Sequence, residues 1–598
     1  MEMSDLELGM EKVMQSRMMM TELEGWSALT LAEQRVLGAL FHKYAGQTFS
    51  SLLPSEEWAK EGLSGAEAKL AFAMLRRKQW IKSVYKSWGE RSFYIPKSHH
   101  AMLTLIYSGR IGCVVEAVVG SVRHVFKEGK PHIAGELLHL LAWIQREGLP
   151  LTGKGTIHKR SILKLSALTI LSQDDFEDLE ITYDHKELYP VHVIILLDLL
   201  LCLHLVQKTD RGFEIRQDKF QQWIKLSWTA MHVEIFQVCM DRYVAAGSEL
   251  QHFRYQLALL APGKNQWCRV LKWQENAGVR SWLFALAGWG FGEVGEDENG
   301  ELAFRWLIHP GEFLIKDRDW VNQSDSMLEQ EEREFSRFYV QPDFEVMVPP
   351  DVSAEVCWRL ELYSERVTRD QMSIYRLCKE RMETAVASGV KWESIADFLE
   401  RHGQGELPGH VLAALKNWAR ASEVMPDRKL SLPLAWDAET LDNSGKPEKQ
   451  KEENSVQVSP SLFYNSEIPG LIQVHPTPGM TEDHEDVESD WDHDVNGKAA
   501  WNQRKADVPE TWHRDWRRYH MSTARQIAAQ AIEWQVKLGI REGEETFVLI
   551  PHQVEGHEQW TLEGWCILNS DEHTSHTEWR TFIPDRWDTM RLLLPEDV

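Results

Sequence analysis

The chain has 598 residues, 43% hydrophobic and 26% charged, ordinary for a globular protein and too long for one core, so about four to five domains are expected. A formal charge of −25 excludes a protein that coats nucleic acid indiscriminately, because that mode depends on neutralising phosphates; any DNA contact must come from local basic patches. Seven scattered cysteines without metal-ligand spacing exclude a conventional zinc finger and fit a reducing cytoplasm.

The first residues, with Glu2, Asp5, Glu7 and Glu11, lack the basic and apolar regions of a signal peptide. The longest apolar run, Val191 to Leu203, contains Asp198 and is too short to span a bilayer, so a cytoplasmic protein without a membrane partner is expected. The 26 Trp residues point to large packed faces or stacking surfaces, with core packing the favoured reading.

The first module, residues 1–110, opens with two capping boxes. Thr30 and Glu33 precede the helical stripe Val36, Leu37, Leu40, Phe41 and Tyr44; Ser64 and Glu67 precede Leu70, Ala71, Met74 and Leu75. The period then changes to two: Ile81–Tyr85, a turn at Ser87-Trp88-Gly89-Glu90, and a strand through Phe93 to Ile95. Helices followed by one hairpin is the order of a winged helix. The same order is expected in residues 111–227, with a helix from Pro190 to Leu203 and strands Leu205–Lys208 and Phe213–Arg216. It is expected again in residues 228–335, with a helix around Ser281–Ala287, then Phe291–Val294 and Leu302–Trp306.

Residues 336–425 start with the alternating stretch Phe338 to Pro350, and from Ser353 to Ser422 the pattern reads as helical. Gly389 and Gly403 stand at helix C-caps and Pro408 at a helix start. Residues 426–510 lose periodicity, and Glu482 to Asp494 is strongly acidic, so a flexible solvated linker is expected. Residues 511–598 re-form structure: a helix from Thr523 to Leu538, then strands Thr546–Ile550, Gln559–Leu568 and Trp579–Ile583.

No phosphate-binding loop is readable. Gly153-Lys154-Gly155 and Gly263-Lys264-Asn265 lack the Lys-Ser or Lys-Thr pair, and Asp571-Glu572-His573 sits in a polar turn without a partnering loop, so no motor is expected. Asp343 and Glu345 stand two apart as metal ligands would, but Met347 occupies the place where a nuclease needs lysine. Asp492, Asp494 and Asn496 with Gly497 mimic a calcium loop whose twelfth position is Gln503, which supplies no bidentate carboxylate. No Ser/His/Asp or Cys/His constellation is recoverable. A non-enzyme is therefore expected, with no catalytic residues, no metal and no cofactor.

Two basic, aromatic-rich patches suit nucleic acid. In the first, Arg76, Arg77, Lys78, Lys82, Lys86, Arg91 and Lys97 oppose only Glu90, with Trp80, Tyr85, Trp88 and Tyr94 interleaved. The second is Trp512 to His520, with Arg514, Arg517 and Arg518. The acidic third hairpin, with Glu293, Glu296, Asp297, Glu298 and Glu301, should repel DNA.

The stretch Gln341-Pro342-Asp343-Phe344-Glu345 resembles the N-terminal, helicase-associated domain of XPB-type DNA repair helicases. Tyr375-Arg376-Leu377 at a helix start, Gly389, and Leu407-Pro408 before Val411 stand where that family has its later elements. The end of the chain resembles a WYL-type domain, an SH3-like β-barrel, with Trp560-Thr561-Leu562 as an altered signature triplet. The resemblance implies a pocket of Trp560, Leu562, Arg580, Phe582 and Arg586.

The expected fold is therefore α+β and predominantly helical. It comprises tandem winged-helix-like units, a small α/β domain of XPB N-terminal type, an acidic linker and a WYL-type barrel. The implied function is a bacterial non-catalytic helicase-associated adaptor. Its partners would be duplex, forked or single-stranded DNA and a helicase or repair protein. The alternative is a winged-helix and WYL-type transcriptional regulator sensing a ligand or single strand.

Overall fold

The structure, a computed structural model, describes residues 17–85, 90–111, 115–117, 122–130, 133–244, 247–261, 263–271, 276–311, 337–369, 372–387, 389–423, 470–473, 481–482, 507–556, 559–570 and 575–595. Lys86, Trp88, the Asp492–Gly497 stretch, Asp571-Glu572-His573 and most of 426–510 lie outside them. The chain forms two compact units, one from residues 114–245 and 260–474, the other from 17–113, 246–259 and 475–598.

In the second of these units both expected capping boxes are made. Thr30 Oγ1 accepts the Glu33 amide at 3.3 Å and Glu33 Oε2 accepts the Thr30 amide at 2.6 Å, starting α1 (Leu31–Tyr44). After α2 (Ser55–Lys60), Ser64 and Glu67 repeat the device before α3 (Gly65–Arg77). The apolar stripe Val36, Leu37, Leu40, Phe41 and Leu75 is fully buried. The hairpin β1 (Lys82–Tyr85) and β2 (Arg91–Tyr94) follows in antiparallel register, and Phe49 bridges to Phe93 on its free side.

The other unit begins with β3 (Val115–Ala117) and β4 (Val122–Lys127). Then come α4 (Ile133–Glu147), β5 (Leu149–Pro150), α5 (Lys159–Leu168), β6 (Thr182–Tyr183) and α6 (Val191–Cys202). The hairpin β7 (Val206–Lys208) and β8 (Gly212–Ile215) takes β5 as a third strand, in the order β5-β8-β7. α6 is buried along its whole length from His192 to Cys202, as its nearly unbroken apolar sequence requires.

Next are α7 (Trp228–Arg242), β9 (Trp267–Val270), α8 (Ala277–Gly288), β10 (Gly292–Asp297) and β11 (Leu302–Trp306). The expected third wing is not a free hairpin: β10 and β11 lie inside a five-stranded sheet of order β3-β9-β11-β10-β4. Burial explains this, for Val294, Ala303 and Phe304 have no exposure and would be stranded in solvent on a projecting hairpin. One of its acids is structural: Asp297 accepts the Asn299 and Glu301 amides (2.8 and 3.0 Å) and pairs with Arg269 at 2.5 Å. Fully buried Trp282, Trp289 and Trp306 accord with the core-packing reading of the tryptophans. The Trp282–Trp289 edge contact, at 5.6 Å, is worth ~1 kcal/mol beyond its buried area.

The unit ends with β12 (Tyr339–Val340), β13 (Glu345–Val348), α9 (Ala354–Tyr363), β14 (Ser364–Arg369) and β15 (Ser373–Leu377). Three helices follow: α10 (Lys379–Ala387), α11 (Trp392–His402) and α12 (Gly409–Glu423). Tyr375-Arg376-Leu377, expected at a helix start, is instead strand in a sheet ordered β12-β13-β15-β14. Tyr375 and Leu377 point inward and Arg376 outward, the two-residue period that a short strand shows. Gly403 caps α11 through its N–H to the Leu399 carbonyl at 2.9 Å, as expected. Inside the expected linker, β16 (Ile472–Gln473) pairs with β6, and in the other unit β17 (Thr481–Glu482) pairs with β1.

The C-terminal residues belong to that other unit and form α13 (Met521–Trp534) and five strands: β18 (Lys537–Glu542), β19 (Glu545–Glu555), β20 (Thr561–Ser570), β21 (Ser575–Phe582) and β22 (Thr589–Leu593). The helix stops short of Leu538 because Gln535 turns left-handed (φ 56°) and Lys537 enters the sheet. The expected barrel is not closed. The sheet is open, in the order β21-β20-β19-β18-β22, and β21 does not pair with β22 among the described residues. Its apolar face needs no closure, since Ala524, Ile527, Ala528 and Ala531 of α13 cover it.

Candidate nucleic-acid interface

The first basic patch divides once its side chains are placed. Lys78, at the end of α3, holds Glu33 at 2.8 Å, so its charge is committed to the buried carboxylate of the first capping box. Arg76 lies over the Phe93 ring at 5.4 Å. Arg91 lies over Tyr85 and Phe93 at 5.6 and 5.7 Å, which ties its guanidinium to the hairpin it stands on. Trp80 is buried and stacks on His99 at 4.3 Å, and burial pushes the His99 imidazole down to about 4. His99 therefore adds no charge at neutral pH. Arg77 is exposed, and among the described residues it makes no ion pair; Lys82 is half-buried on β1. Lys86 and Trp88 lie outside the described residues.

The second patch is built around one tryptophan. Trp516 packs against Gly539, where a Cβ would overlap its ring, and is flanked by Arg541 at 4.1 Å and Arg591 at 4.8 Å. Gly539 and Arg541 are two apart on β18, and Arg591 stands opposite Gly539 on β22, so one sheet face brings both guanidiniums to the ring. The sequence reading missed Arg541 and Arg591; each is a single arginine on its strand, and the two strands pair only in three dimensions. Of the residues it did name, Arg514 is held by Glu510 one helical turn away at 2.9 Å and Arg517 faces Asp515 at 3.4 Å. Arg518 is exposed, without an ion pair among the described residues.

The five residues of the implied WYL-type pocket divide between the core and the surface. Trp560, Leu562 and Phe582 are buried in the core beneath α13, with Trp560 edge-on to Trp587 at 5.6 Å. Arg580 pairs with Glu578 at 2.9 Å, and Arg586 is exposed on a short 3-10 turn. A cavity of about 500 Å³ in this part of the chain is lined by Arg517, Arg518, Tyr519, His520, Trp587 and Met590, among others.

In the other unit, Gln341 to Glu345 forms the β12–β13 turn. The Gln341 amide donates to the Glu345 carbonyl at 2.7 Å, and Phe344 takes a positive φ of 71° with its ring on Trp418 at 5.4 Å. The two carboxylates do not converge. Asp343 accepts the Glu345 amide at 3.3 Å, and Glu345 pairs with Arg376 at 2.8 Å. Among the described residues no cluster of three or more His, Cys, Asp or Glu is arranged to hold a metal ion. The Gly153–Gly155 stretch forms a loop closed by Thr152 and Thr156, whose hydroxyls lie 2.7 Å apart, not a strand-to-helix phosphate cradle.

Residues 338–423 are locked to α4 by a buried charge network. Glu361 of α9 meets His139 Nδ1 at 2.7 Å and accepts the Tyr375 hydroxyl at 3.1 Å, while Arg146 donates to its backbone carbonyl at 2.5 Å. Arg366 of β14 reaches Glu136 at 3.1 Å, and Glu136 also accepts from Thr169 and the Ile170 amide. Burial alone would raise the Glu361 carboxyl, but His139, Arg366 and Arg146 outweigh it and hold the group at about 2.

Among the described residues no helix is long and apolar enough to cross a membrane. No curated protein matches the chain. Residues 338–423 match the family model described as helicase conserved C-terminal domain, so this portion of the chain is similar to that family.

Proposed function

We propose that the protein is a non-catalytic, helicase-associated adaptor that binds DNA and a helicase or repair partner. The observation that carries this reading is the helicase-family match at residues 338–423 in a chain with no readable phosphate-binding loop. Two features of the fold support it. The hairpins of residues 31–94 and 133–215 each follow helices and each gain an upstream pairing, the Phe49–Phe93 bridge in one and the β5–β8 pair in the other, which supports a winged-helix reading. The exposed Arg77 and Arg518, with the Arg541–Trp516–Arg591 stack, offer cations and an aromatic face for phosphates and bases. The family domain, clamped by the Glu361 network, would present its surface as one body with α4.

The test is binding of the purified chain to duplex, forked and single-stranded DNA at two salt concentrations, with capture of a helicase from its own cell extract. Binding to DNA that weakens steeply with salt supports the proposal; no binding to any form and no captured helicase sinks it. One observation favours a second reading, a regulator with a sensory C-terminal domain: the cavity beside Arg517 and Arg518. Operator-specific binding altered by a small molecule would distinguish it from the adaptor.

A further inference from the structure

Asp198 is a fully buried carboxylate in the middle of apolar α6, with several donors converging on it. Arg242 gives it Nε and Nη2 at 2.9 and 3.1 Å, and Tyr243 gives its hydroxyl at 2.8 Å. Cys202 Sγ adds a contact at 3.7 Å, and a further partner comes from far along the chain: the backbone amide of Ile472 donates to Asp198 Oδ1 at 2.9 Å, while Arg242 Nη2 donates to the Ile472 carbonyl at 2.8 Å. One buried ion pair thus reads both backbone polar groups of a single residue.

The rest of the seat is equally selective. Ile472 pairs with Tyr183 and Gln473 with Thr182, so the segment adds a strand to β6, and the Ile472 side chain is 3% exposed. At Gly470 a Cβ would overlap Asp198 Oδ1, so only glycine fits there. Next to it Leu471 and Gly470 border a groove of about 540 Å³ lined by Ile157, Ile194, Leu201 and Phe213. A charge pair buried in an apolar helix pair is costly to maintain and adds little stability over apolar residues of the same size. Here both of its members contact the visiting segment, which accounts for the pair as a recognition device.

We propose that this seat is a binding site for a short extended peptide of the form Gly-apolar-Ile, and that residues 470–473 are its resident, exchangeable ligand. A partner protein carrying such a segment would displace the resident one and free the long acidic stretch around it. The resident segment belongs to the same chain and so competes as an intramolecular ligand. A peptide in trans therefore binds the unaltered chain weakly, and binds well only when the resident is disabled.

The experiment uses the full chain carrying Ile472→Asp and a fluorescein-labelled peptide of residues 466–477, followed by anisotropy. Circular dichroism matching the wild type establishes that the variant is folded; Gly470→Val is a second variant that disables the resident by a different clash. The expected result is at least tenfold tighter peptide binding by either variant than by the wild type, abolished when the peptide itself carries Ile472→Asp. No peptide binding to either folded variant, or equal binding of the altered peptide, overturns the proposal.

Discussion

Replacing Glu361 with Gln keeps the shape of the side chain and removes the carboxylate charge that His139 and Tyr375 contact and that Arg366 and Arg146 face. Glu361 is 2% exposed, so the lost charge is not made good by water. The native state holds its carboxyl at about 2 against an ordinary 4.5. That depression corresponds to ~3 kcal/mol of preference for the charged form, within the range for breaking a buried ion pair. The assay is urea unfolding of the variant and wild type, followed through the first transition because a chain of two units need not unfold in one step. With a slope of roughly 3 kcal/mol per molar urea, ~3 kcal/mol lowers the midpoint by ~1 M at pH 7. Because the folded value is depressed, the stabilisation is fully present above 4.5 and fades as pH falls towards 2. The two midpoints therefore converge over that window. A difference below ~0.5 kcal/mol at pH 7, or one that persists unchanged in acid, refutes the reasoning.

Lys78→Ala removes the salt bridge to Glu33 and is expected to cost ~0.5 kcal/mol in thermal unfolding while leaving DNA affinity within twofold. A loss of affinity equal to that of Arg77→Ala would show that Lys78 faces the ligand after all. Thr30→Ala breaks the first capping box and is expected to destabilise by ~1 kcal/mol, seen as faster amide exchange in the first turn of α1. Unchanged exchange there would mean that packing alone holds the helix start.

Local devices were legible and distant ones were not. Thr30 with Glu33, Ser64 with Glu67, the β1–β2 hairpin and the Gly403 cap are decided within a few residues, and each stands where the pattern put it. Tyr375 to Leu377 was misread because five residues are too few to separate a strand from a helix turn by period; pairing with β13 and β14 decided the matter. The closed barrel was an expectation from resemblance, and the cover supplied by α13 replaced it with an open sheet. The Glu361–His139 contact joins residues 222 apart, and nothing local in either segment announces it. The basic patch was half legible: its charges could be listed, but which were already bound to Glu33, Glu510 or Asp515 required the fold. The seat for Ile472 left one trace in the sequence, a lone aspartate inside an apolar helix.

The most direct test of the DNA-binding claim is a salt titration of duplex and forked DNA binding by the wild type and by the chain carrying Arg77→Ala and Arg518→Ala. If both arginines meet phosphates, the double variant binds more weakly at low salt and its log–log salt slope is shallower by about 2. Identical affinity and slope in the two proteins would contradict the placement of the interface, and absence of DNA binding by the wild type would contradict the function itself.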